Sequence, residues 1–454
     1  MKSIARALIT VLTLAITSLA ANAQESLPPV SPTATATLKK IVALPSVQKA
    51  MMAIMRDDEL TLKDQIEITE IPAPPFKESV RAADLLRRFK ALGMREAHRD
   101  AEGNVIAVRK GRSLDGRPRL VLAAHLDTVF PEGTDVKVKK KNDRYYAPGI
   151  IDDARGLAAL LQVLRTMNEM QIETVGDVVF VANVGEEELG DLRGVKAIFQ
   201  ADKSIDGFIS IDGSAVWRIV NAATGSRRFK IAFNGPGGHS FGAFGLPSAI
   251  HAMGRAISKI ADIQTIKEPK TTFTVGTVNG GTSVNAIAAD AALGLDMRSD
   301  SAAELAKLEA HMKRFVQQAV DEENARWNIK PGPNAIRAEF SVVGDRPAGS
   351  QPVISPVVMV ARAAIGVMGI EVKAIQASST DANLPIALGI PAATLGGGGA
   401  GSGSHSPGEW YMPIKAYDGP QSVMLTVLGL VGVVGAAGAS EPLLPVRTTI
   451  KIAQ

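Results

Sequence analysis

One apolar segment of this sequence ends in a histidine and an aspartate whose spacing could support metal chemistry. The stretch LVLAAHLD carries His125 and Asp127, and side chains two positions apart in a strand point to the same face. A carboxylate beside an imidazole can fix the orientation and tautomer of the ring, as is typical of metal-binding histidines. An isolated pair of this kind also fits a histidine that is simply hydrogen-bonded at a strand end, so the other motifs must decide.

Acidic residues and a second histidine recur at comparable places along the chain. Each lies after an apolar segment or in a glycine-rich loop: Asp152 and Asp153 in APGIIDDARG, Glu186, Glu187 and Glu188 in VGEEELG, Asp212 in ISIDGS, and His405 in GSGSHSPGEW. The adjacent aspartates also suit the start of a helix, where acids are favoured. Clustered carboxylates repel one another without a cation, and nitrogen and oxygen donors suit divalent ions such as zinc. The pattern therefore predicts a metal site.

Strands must bring these side chains together, because they are far apart in the sequence. Apolar segments such as RLVLAAHLD, DVVFVANVG and GFISIDG alternate with helical patterns such as ARGLAALLQVLRTMNEM. This alternation predicts an α/β sheet covered by helices on both faces. Ligands gather at the carboxyl ends of the strands in such sheets, so we expect the acids and histidines at that edge.

The pattern changes from about Thr224. Segments in the order β-α-β-β-α-β follow, which predicts an inserted α+β domain of the ferredoxin-like type, complete in itself. The α/β pattern resumes after it. We therefore predict one α/β catalytic domain, residues 24–223 and 347–454, interrupted by an inserted domain, residues 224–346.

The amino-terminal residues predict a secretory signal peptide, residues 1–23. Lys2 and Arg6 precede an apolar run, and Ala21-Asn22-Ala23 provides a small-residue cleavage site. We therefore expect a periplasmic or secreted protein. The apolar run VMLTVLGLVGVVGAAG near the carboxyl terminus predicts a buried helix rather than a membrane span, so we expect no membrane contact after signal cleavage.

Composition excludes some classes of site. The chain has no cysteine, so it forms no disulfide and its metal ligands must be nitrogen and oxygen donors. Its net charge is +4, its lysines and arginines are scattered, and only 4% of its residues are aromatic, which gives no basic, stacking surface for nucleic acid.

The motifs HLD, GIIDDARG, GEEELG, SIDG, GGHS and GSHSPGEW resemble, in their order along the chain, those of the dinuclear zinc exopeptidases and amidohydrolases. This family includes peptidase T, glutamate carboxypeptidase, succinyl-diaminopimelate desuccinylase and aminoacylase. The resemblance extends over nearly all of the chain after residue 23. It implies a mixed-sheet catalytic domain, an inserted lid and dimerisation domain, and a cofactor of two Zn²⁺ ions, or of Co²⁺ or Mn²⁺. It also implies hydrolysis of the amide bond of short peptides or N-acyl amino acids.

The resemblance assigns metal ligands at matching positions. One zinc is bound by His125 and Asp212, the other by Glu187 and His405, and Asp152 bridges the two ions. Asp127 orients His125, which accounts for the spacing of that pair. The family commonly has a cis peptide after the bridging aspartate, here between Asp152 and Asp153.

The general base is implied to be Glu186, which accepts a proton from the attacking water. The family usually has two glutamates where this chain has three, so Glu187 and Glu188 could instead be base and ligand. We prefer Glu186 and Glu187, because Gly185 matches the single residue that separates strand and glutamate pair in the family.

The inserted domain supplies further residues by the same resemblance. His239 in NGPGGHS stabilises the oxyanion in this family, often from a partner subunit, which implies a possible homodimer through the inserted domain. Asn285 and Arg298 match positions that bind the carboxylate or backbone of the substrate, although Arg298 could equally form a surface ion pair. Asp381 and Asn383 in SSTDANLP match positions near the pocket and receive no role.

Two other interpretations remain open from the sequence. A non-catalytic metal-binding or carrier protein would keep the metal site without the chemistry. The related dizinc aminopeptidases have similar ligands but lack an inserted domain, so the number of domains separates them from this chain.

Overall fold

A computed structural model of the protein describes residues 27–435 and 441–447. The predicted signal peptide, residues 1–23, lies outside these described residues. Among them, no helix has both the length and the apolar character needed to cross a membrane. The apolar run that begins at Val423 forms the second half of the helix Asp418–Val431, in which every residue after Asp418 is buried.

The helices and strands alternate along most of the described chain. The helices are α1 (Pro32–Ala43), α2 (Pro45–Arg56), α3 (Asp58–Thr69), α4 (Ser79–Ala91), α5 (Ala154–Glu169), α6 (Arg193–Ala201), α7 (Ala249–Ala261), α8 (Ala302–Arg326), α9 (Pro356–Val367), α10 (Asn383–Ala387) and α11 (Asp418–Val431). The strands are β1 (His98–Arg99), β2 (Val105–Arg109), β3 (Leu120–His125), β4 (Lys139–Lys141), β5 (Arg144–Tyr146), β6 (Val178–Asn183), β7 (Gly207–Ile211), β8 (Arg218–Ala223), β9 (Gly225–Asn234), β10 (Gly238–His239), β11 (Thr271–Gly280), β12 (Ala286–Ile287), β13 (Asp290–Ser299), β14 (Arg337–Arg346), β15 (Gly349–Ser350), β16 (Ala374–Ser378), β17 (Ala392–Leu395), β18 (Ala400–Ser402) and β19 (Trp410–Met412).

The largest sheet has the strand order β1-β2-β6-β3-β7-β17-β8-β15, with β16 beside β8. Its centre is parallel, because β3 pairs in parallel with both β6 and β7, whereas β2 runs antiparallel to β6. Every residue of β3, β6 and β7 is buried, as expected for strands that helices cover on both faces. The predicted mixed α/β fold is therefore confirmed.

Alternate residues of the central strands point into two different cores. Leu120 and Leu122 of β3 pack in a core with residues of α1, α5, α9 and α11, whereas Val121 and Ala123 pack with α6 and α10. This period of two is the geometry of a strand between two helical layers. Helix α5 is the central helix of the first layer and is buried along most of its length.

Residues 225–346 form a separate antiparallel sheet, in the order β11-β13-β9-β14. Helices α7 and α8 pack on this sheet around a core of its own, which contains Phe229, Ile231 and Phe233. Apart from the two-residue strands β10 and β12, the elements follow one another as β9, α7, β11, β13, α8 and β14, which is the β-α-β-β-α-β order that the sequence indicates. This inserted segment connects to the larger sheet at Thr224 and Pro347. The amide of Asn383 donates to the carbonyl oxygens of both residues, at 2.8 and 3.2 Å.

Candidate metal centre and active site

The central strands place several predicted site residues at one edge of the large sheet. His125 is the last residue of β3, Glu186 and Glu187 follow β6, and Asp212 follows β7 directly. Because these three strands are parallel, their carboxyl ends meet at the same edge. Two loops complete the cluster: Asp152 lies in the turn before α5, and His405 lies between β18 and β19.

Asp152 lies between the two histidines. One of its carboxylate oxygens is 3.1 Å from Nε2 of His125, and the other is 3.2 Å from Nε2 of His405. The Nε2 atom of His405 also lies 3.0 Å from a carboxylate oxygen of Glu187. Three sets of side chains each have ligand atoms within 4.8 Å of one another: His125, Glu186 and Glu187; His125, Asp153 and Asp212; and Asp152, Glu187 and His405. This arrangement of imidazole nitrogens and carboxylate oxygens suits divalent ions such as zinc.

The two adjacent aspartates have different contacts, so both interpretations of the DD motif apply. Asp152 faces the histidines, whereas Asp153 is fully buried and accepts hydrogen bonds from the backbone N–H of His125 at 3.0 Å and of Gly156 at 3.1 Å. The second bond caps the amino terminus of α5. The peptide between Asp152 and Asp153 is cis, as the family resemblance implies.

Asp127 has a role that its spacing from His125 does not indicate. Its carboxylate accepts hydrogen bonds from the backbone N–H groups of Glu186 and Glu187, at 3.1 and 2.7 Å. The Nδ1 atom of His125 lies 3.0 Å from the backbone oxygen of Asp127 and 3.6 Å from its carboxylate. Burial alone would raise the pKa of Asp127, but the neighbouring His125 ring and the hydrogen bonds from the two amides hold it below its usual value. Asp127 therefore fixes both the histidine and the glutamate turn.

The three consecutive glutamates separate into two buried residues and one exposed residue. Glu186 and Glu187 are each 5% exposed and point toward the cluster, whereas Glu188 is exposed and begins a short 3₁₀ turn. The turn depends on Gly185, whose φ of 72° favours glycine, and a Cβ there would lie 2.5 Å from the side chain of Arg193. This geometry favours Glu186 and Glu187 as base and ligand over Glu187 and Glu188.

Arg346, the last residue of β14, contacts the proposed base and was not among the site residues that the sequence indicates. One guanidinium nitrogen donates to the carboxylate of Glu186 and to the hydroxyl of Ser379, each at 3.1 Å, and the other donates to the backbone oxygen of Glu186. Burial raises the pKa of Glu186 well above its usual value, and the charge of Arg346 opposes that shift. The residue that closes the inserted segment therefore holds the proposed base.

Negative charge dominates the cluster. Burial and the charge of Asp152 raise the pKa of Asp212 to about 6. Hydrogen bonds to Asp152 and then to Glu187 raise the pKa of His405 to about 11. Asp381 is fully buried nearby, and burial raises its pKa to about 7. These pKa shifts arise because buried carboxylates outnumber the positive charges near them. Divalent cations would neutralise the excess negative charge, so the donor set fits them.

A cavity of about 950 Å³ lies beside the cluster and is lined by both parts of the fold. Glu187, Asp212 and His405 form part of one wall, and Arg228, Asp296 and Arg298 of the inserted segment form part of the other. Asp296 accepts from Arg228 and from Arg298, each at 2.8 Å. Arg298 therefore lines the cavity and also forms an ion pair, so the structure agrees with both alternatives for this residue.

His239 and Asn285 are near each other but do not line this cavity. Both are exposed, on or beside the small ribbon that β10 and β12 form. The backbone N–H of Ser240 donates to the backbone oxygen of Asn285 at 2.9 Å. Nδ1 of His239 accepts from the backbone N–H groups of Phe241 and Gly242, both at 3.2 Å, so Nε2 carries the ring proton. The single chain does not bring this N–H to the metal ligands, and the role of His239 stays a prediction.

Known proteins resemble this chain in sequence and in structure. The model of peptidase family M20/M25/M40 matches residues 121–427, a segment that contains all the proposed metal ligands. The chain is 24% identical to carboxypeptidase G2 of Pseudomonas sp. (strain RS-16) over 319 residues, which cover 69% of this chain and 73% of that protein. It is 26% identical to the uncharacterised protein YqjE of Bacillus subtilis (strain 168) over 293 residues, which cover 61% of this chain and 76% of that protein.

Solved structures share the fold. Aminopeptidase PepT from Bacillus cereus ATCC 10987 matches with a TM-score of 0.64 and 23% identity, over 82% of this chain and 98% of that one. The YXEP protein of Bacillus subtilis, described as a dinuclear metal-binding peptidase of family M20, matches with a TM-score of 0.61 and 18% identity, over 83% of this chain and 99% of that one. The family model covers more than half of the sequence, and the resemblance inferred from the motifs is confirmed. The chain therefore belongs to peptidase family M20/M25/M40 and is an enzyme that hydrolyses peptide or amide bonds.

Proposed function

We propose that this enzyme is an exopeptidase or amidohydrolase that cleaves the amide bond of short peptides or N-acyl amino acids and uses two divalent cations, Zn²⁺ by preference. The observation that carries the proposal is the position of Asp152, whose two carboxylate oxygens lie 3.1 and 3.2 Å from the Nε2 atoms of His125 and His405. A carboxylate with one oxygen toward each histidine is suited to bridging two ions.

The proposed ligands form two sets that share Asp152. His125 and Asp212 complete the first set, and Glu187 and His405 complete the second. When bound, two such cations supply Lewis acidity toward the scissile carbonyl and lower the pKa of a water molecule.

Glu186 is the proposed general base. It lines the cavity beside the ligands, and Arg346 holds one of its carboxylate oxygens at 3.1 Å, so that its position is fixed before substrate arrives. In this role, Glu186 removes a proton from the attacking water and returns it to the departing amine. His239 is proposed to donate its Nε2–H to the oxyanion, and Asn285 and Arg298 to bind the carboxylate or backbone of the substrate.

The size and position of the cavity support small substrates. A volume of about 950 Å³ is that of a pocket for a small ligand. The inserted domain forms one wall, and its closure would exclude a long polypeptide. We also propose that two chains pair through the inserted domain, because His239 does not line the cavity of its own chain, and that the signal-like residues 1–23 direct the protein to the periplasm or outside the cell.

The experiment combines a substrate screen with one matched pair of variants. Protein reconstituted with Zn²⁺, Co²⁺ or Mn²⁺ is offered dipeptides, tripeptides and N-acyl amino acids. In Glu186→Gln we expect bound metal to stay at two ions per chain while turnover falls about 10²–10⁴-fold, the usual contribution of a general base. Glu188→Gln changes the exposed neighbour and is expected to keep wild-type turnover.

Two outcomes would contradict this proposal. Normal turnover in Glu186→Gln together with a loss of turnover in Glu188→Gln would show that Glu188, and not Glu186, is the general base. A wild-type protein that binds two ions yet hydrolyses none of these substrates would exclude the proposed substrate classes.

A further inference from the structure

Glu409 lies directly before β19, four residues after the ligand His405 in the motif HSPGEW. Unlike His405, which is exposed, Glu409 is 0% exposed. Its side chain points to the loop that leads from β5 to Asp152. The strands β19 and β5 pair with each other, so the loop with His405, which leads into β19, and the loop with Asp152, which follows β5, adjoin neighbouring strands of one small sheet.

The carboxylate of Glu409 makes three hydrogen bonds to the backbone of that loop. One oxygen accepts from the N–H of Gly149 at 2.8 Å, and the other accepts from those of Ile151 at 2.6 Å and Asp152 at 3.1 Å. The backbone oxygen of Glu409 also accepts from the N–H of Ala147 at 3.2 Å. These contacts fix the loop up to and including the amide of Asp152.

The opposite side of the loop is closely packed as well. Gly149 has a φ of 78°, and a Cβ at this position would lie 2.7 Å from Cγ2 of Thr128, three residues after His125. The turn is therefore held between Thr128 on one side and the carboxylate of Glu409 on the other, and it has little room to shift.

A buried carboxylate in this place is costly. Among the described residues, no lysine, arginine or histidine forms a salt bridge with Glu409 within 4.0 Å, and the nearby charge of Asp152 is of the same sign. Burying a charge without an opposite charge is unfavourable, and hydrogen bonds offset this cost only in part. A carboxylate nevertheless offers two acceptor oxygens, which a neutral side chain of the same shape does not.

We infer that Glu409 is a positioning residue for the metal centre, which fixes Asp152 relative to His405. It touches neither substrate nor metal ligand side chains and acts through the backbone of the Asp152 loop. The inference rests on the proposed dinuclear site. Asp152 and His405 share only the ion that Glu187 also binds, so the binding of that ion should depend most on Glu409.

The test is the metal affinity of Glu409→Gln, measured with Co²⁺ and Zn²⁺ alone by competition with a chromophoric chelator, together with the visible spectrum of the Co²⁺ form. A glutamine keeps one acceptor oxygen but places its NH₂ group against a backbone N–H. We expect the second equivalent of metal to bind about 10–100-fold more weakly, as for other residues that orient ligands, and the Co²⁺ spectrum to change.

The matched control is Glu323→Gln in the inserted domain. Glu323 is also 0% exposed and also accepts a backbone N–H, that of Ser248 at 3.1 Å, but it lies far along the chain from any proposed ligand. We expect this variant to lose thermal stability while its metal affinities and Co²⁺ spectrum stay those of the wild type.

Wild-type affinity for both equivalents in Glu409→Gln would overturn the inference and leave the proposed function intact. If this variant does not fold, Glu409→Asp replaces it, since aspartate keeps the charge but shortens the side chain. We again expect weaker binding of the second equivalent of metal and a changed Co²⁺ spectrum. A wild-type protein that binds fewer than two ions would instead contradict the proposed function.

Discussion

The two walls of the cavity differ in how completely one chain assembles them. On the catalytic side, His125, Asp152 and His405 come within 3.2 Å of their partners, although more than 200 residues separate the second from the third. On the inserted side, Arg298 reaches the cavity, whereas His239 and Asn285 are exposed and lie elsewhere. The catalytic wall is fixed by a sheet whose strand ends converge, whereas the inserted wall belongs to a segment that is joined to this sheet by two chain connections and by side-chain contacts such as that of Arg346 with Glu186.

The two walls also differ in charge. The catalytic wall carries more carboxylates than cations, as the raised pKa values of Asp212 and Asp381 show. The inserted wall presents three arginines, Arg228, Arg298 and Arg346, against one carboxylate, that of Asp296. One wall therefore suits cations, and the other suits an anionic group of a substrate. We therefore expect metal binding to depend on the catalytic wall, and substrate binding to depend also on the inserted wall.

Among the variants that distinguish the two walls, His239→Ala is expected to have the largest effect, a loss of kcat. Loss of one oxyanion donor typically lowers kcat by about 10²–10³-fold. Metal content should stay at the wild-type value, because no proposed ligand contacts His239. Steady-state kinetics and metal analysis of the same preparation measure both quantities.

A mixing experiment shows whether His239 acts in its own chain or in a partner. In a symmetric dimer, exchange of equal amounts of His239→Ala and Glu186→Gln chains should restore activity at about a quarter of the sites, since half of the dimers are mixed and each has one intact site. No recovery after verified subunit exchange would show that His239 acts within its own chain or not at all.

A smaller effect is expected from Asp127→Asn, on the catalytic wall. The carboxylate binds the amides of Glu186 and Glu187, and an asparagine can accept from only one of them without turning its NH₂ group toward the other. Removing such a contact usually weakens metal binding or activity by about 10–100-fold. Zn²⁺ titration measures the change, and Asp143→Asn, an exposed aspartate in the β4–β5 hairpin, serves as control. Unchanged metal affinity would mean that the glutamate turn is held by the fold alone.

The sequence indicates the region of three proposed ligands, His125, Glu187 and Asp212, because each lies at or soon after the end of an apolar strand. Asp152 and His405 lie in loops, and the family resemblance assigns their roles. An apolar run that ends in His125 or Asp212 shows where a buried strand leaves the core, and parallel strands place such ends at one edge. The same logic predicted the order of elements in the inserted segment. It depends only on the period of two within a strand and on the alternation of strands with helices.

The sequence does not indicate which partners hold the ligands. Asp127 and the amide of Glu187, Arg346 and Glu186, and Glu409 and Gly149 are separated by 60, 160 and 260 residues respectively. No local periodicity encodes such contacts, and arginine or glutamate at these positions is compatible with an exposed surface. The choice of Glu186 over Glu188 likewise depends on where β6 ends and on the turn at Gly185, which only the backbone geometry decides.

The smallest effect is expected from Arg298→Met, which tests the inserted wall. Its side chain is 44% exposed and shares Asp296 with Arg228, so that Asp296 keeps a partner after the change. An exposed ion pair contributes about 0–1 kcal/mol, so thermal stability should change little. If Arg298 binds the substrate carboxylate, a lost charged hydrogen bond of about 1.5–3 kcal/mol raises KM about 10-fold or more, with little change in kcat. The matched control is a substrate whose carboxylate is amidated, since its KM should not respond. Equal KM values for wild type and variant with the carboxylate substrate would reduce Arg298 to a surface ion pair and leave Arg228 and Arg346 as the cationic groups of that wall.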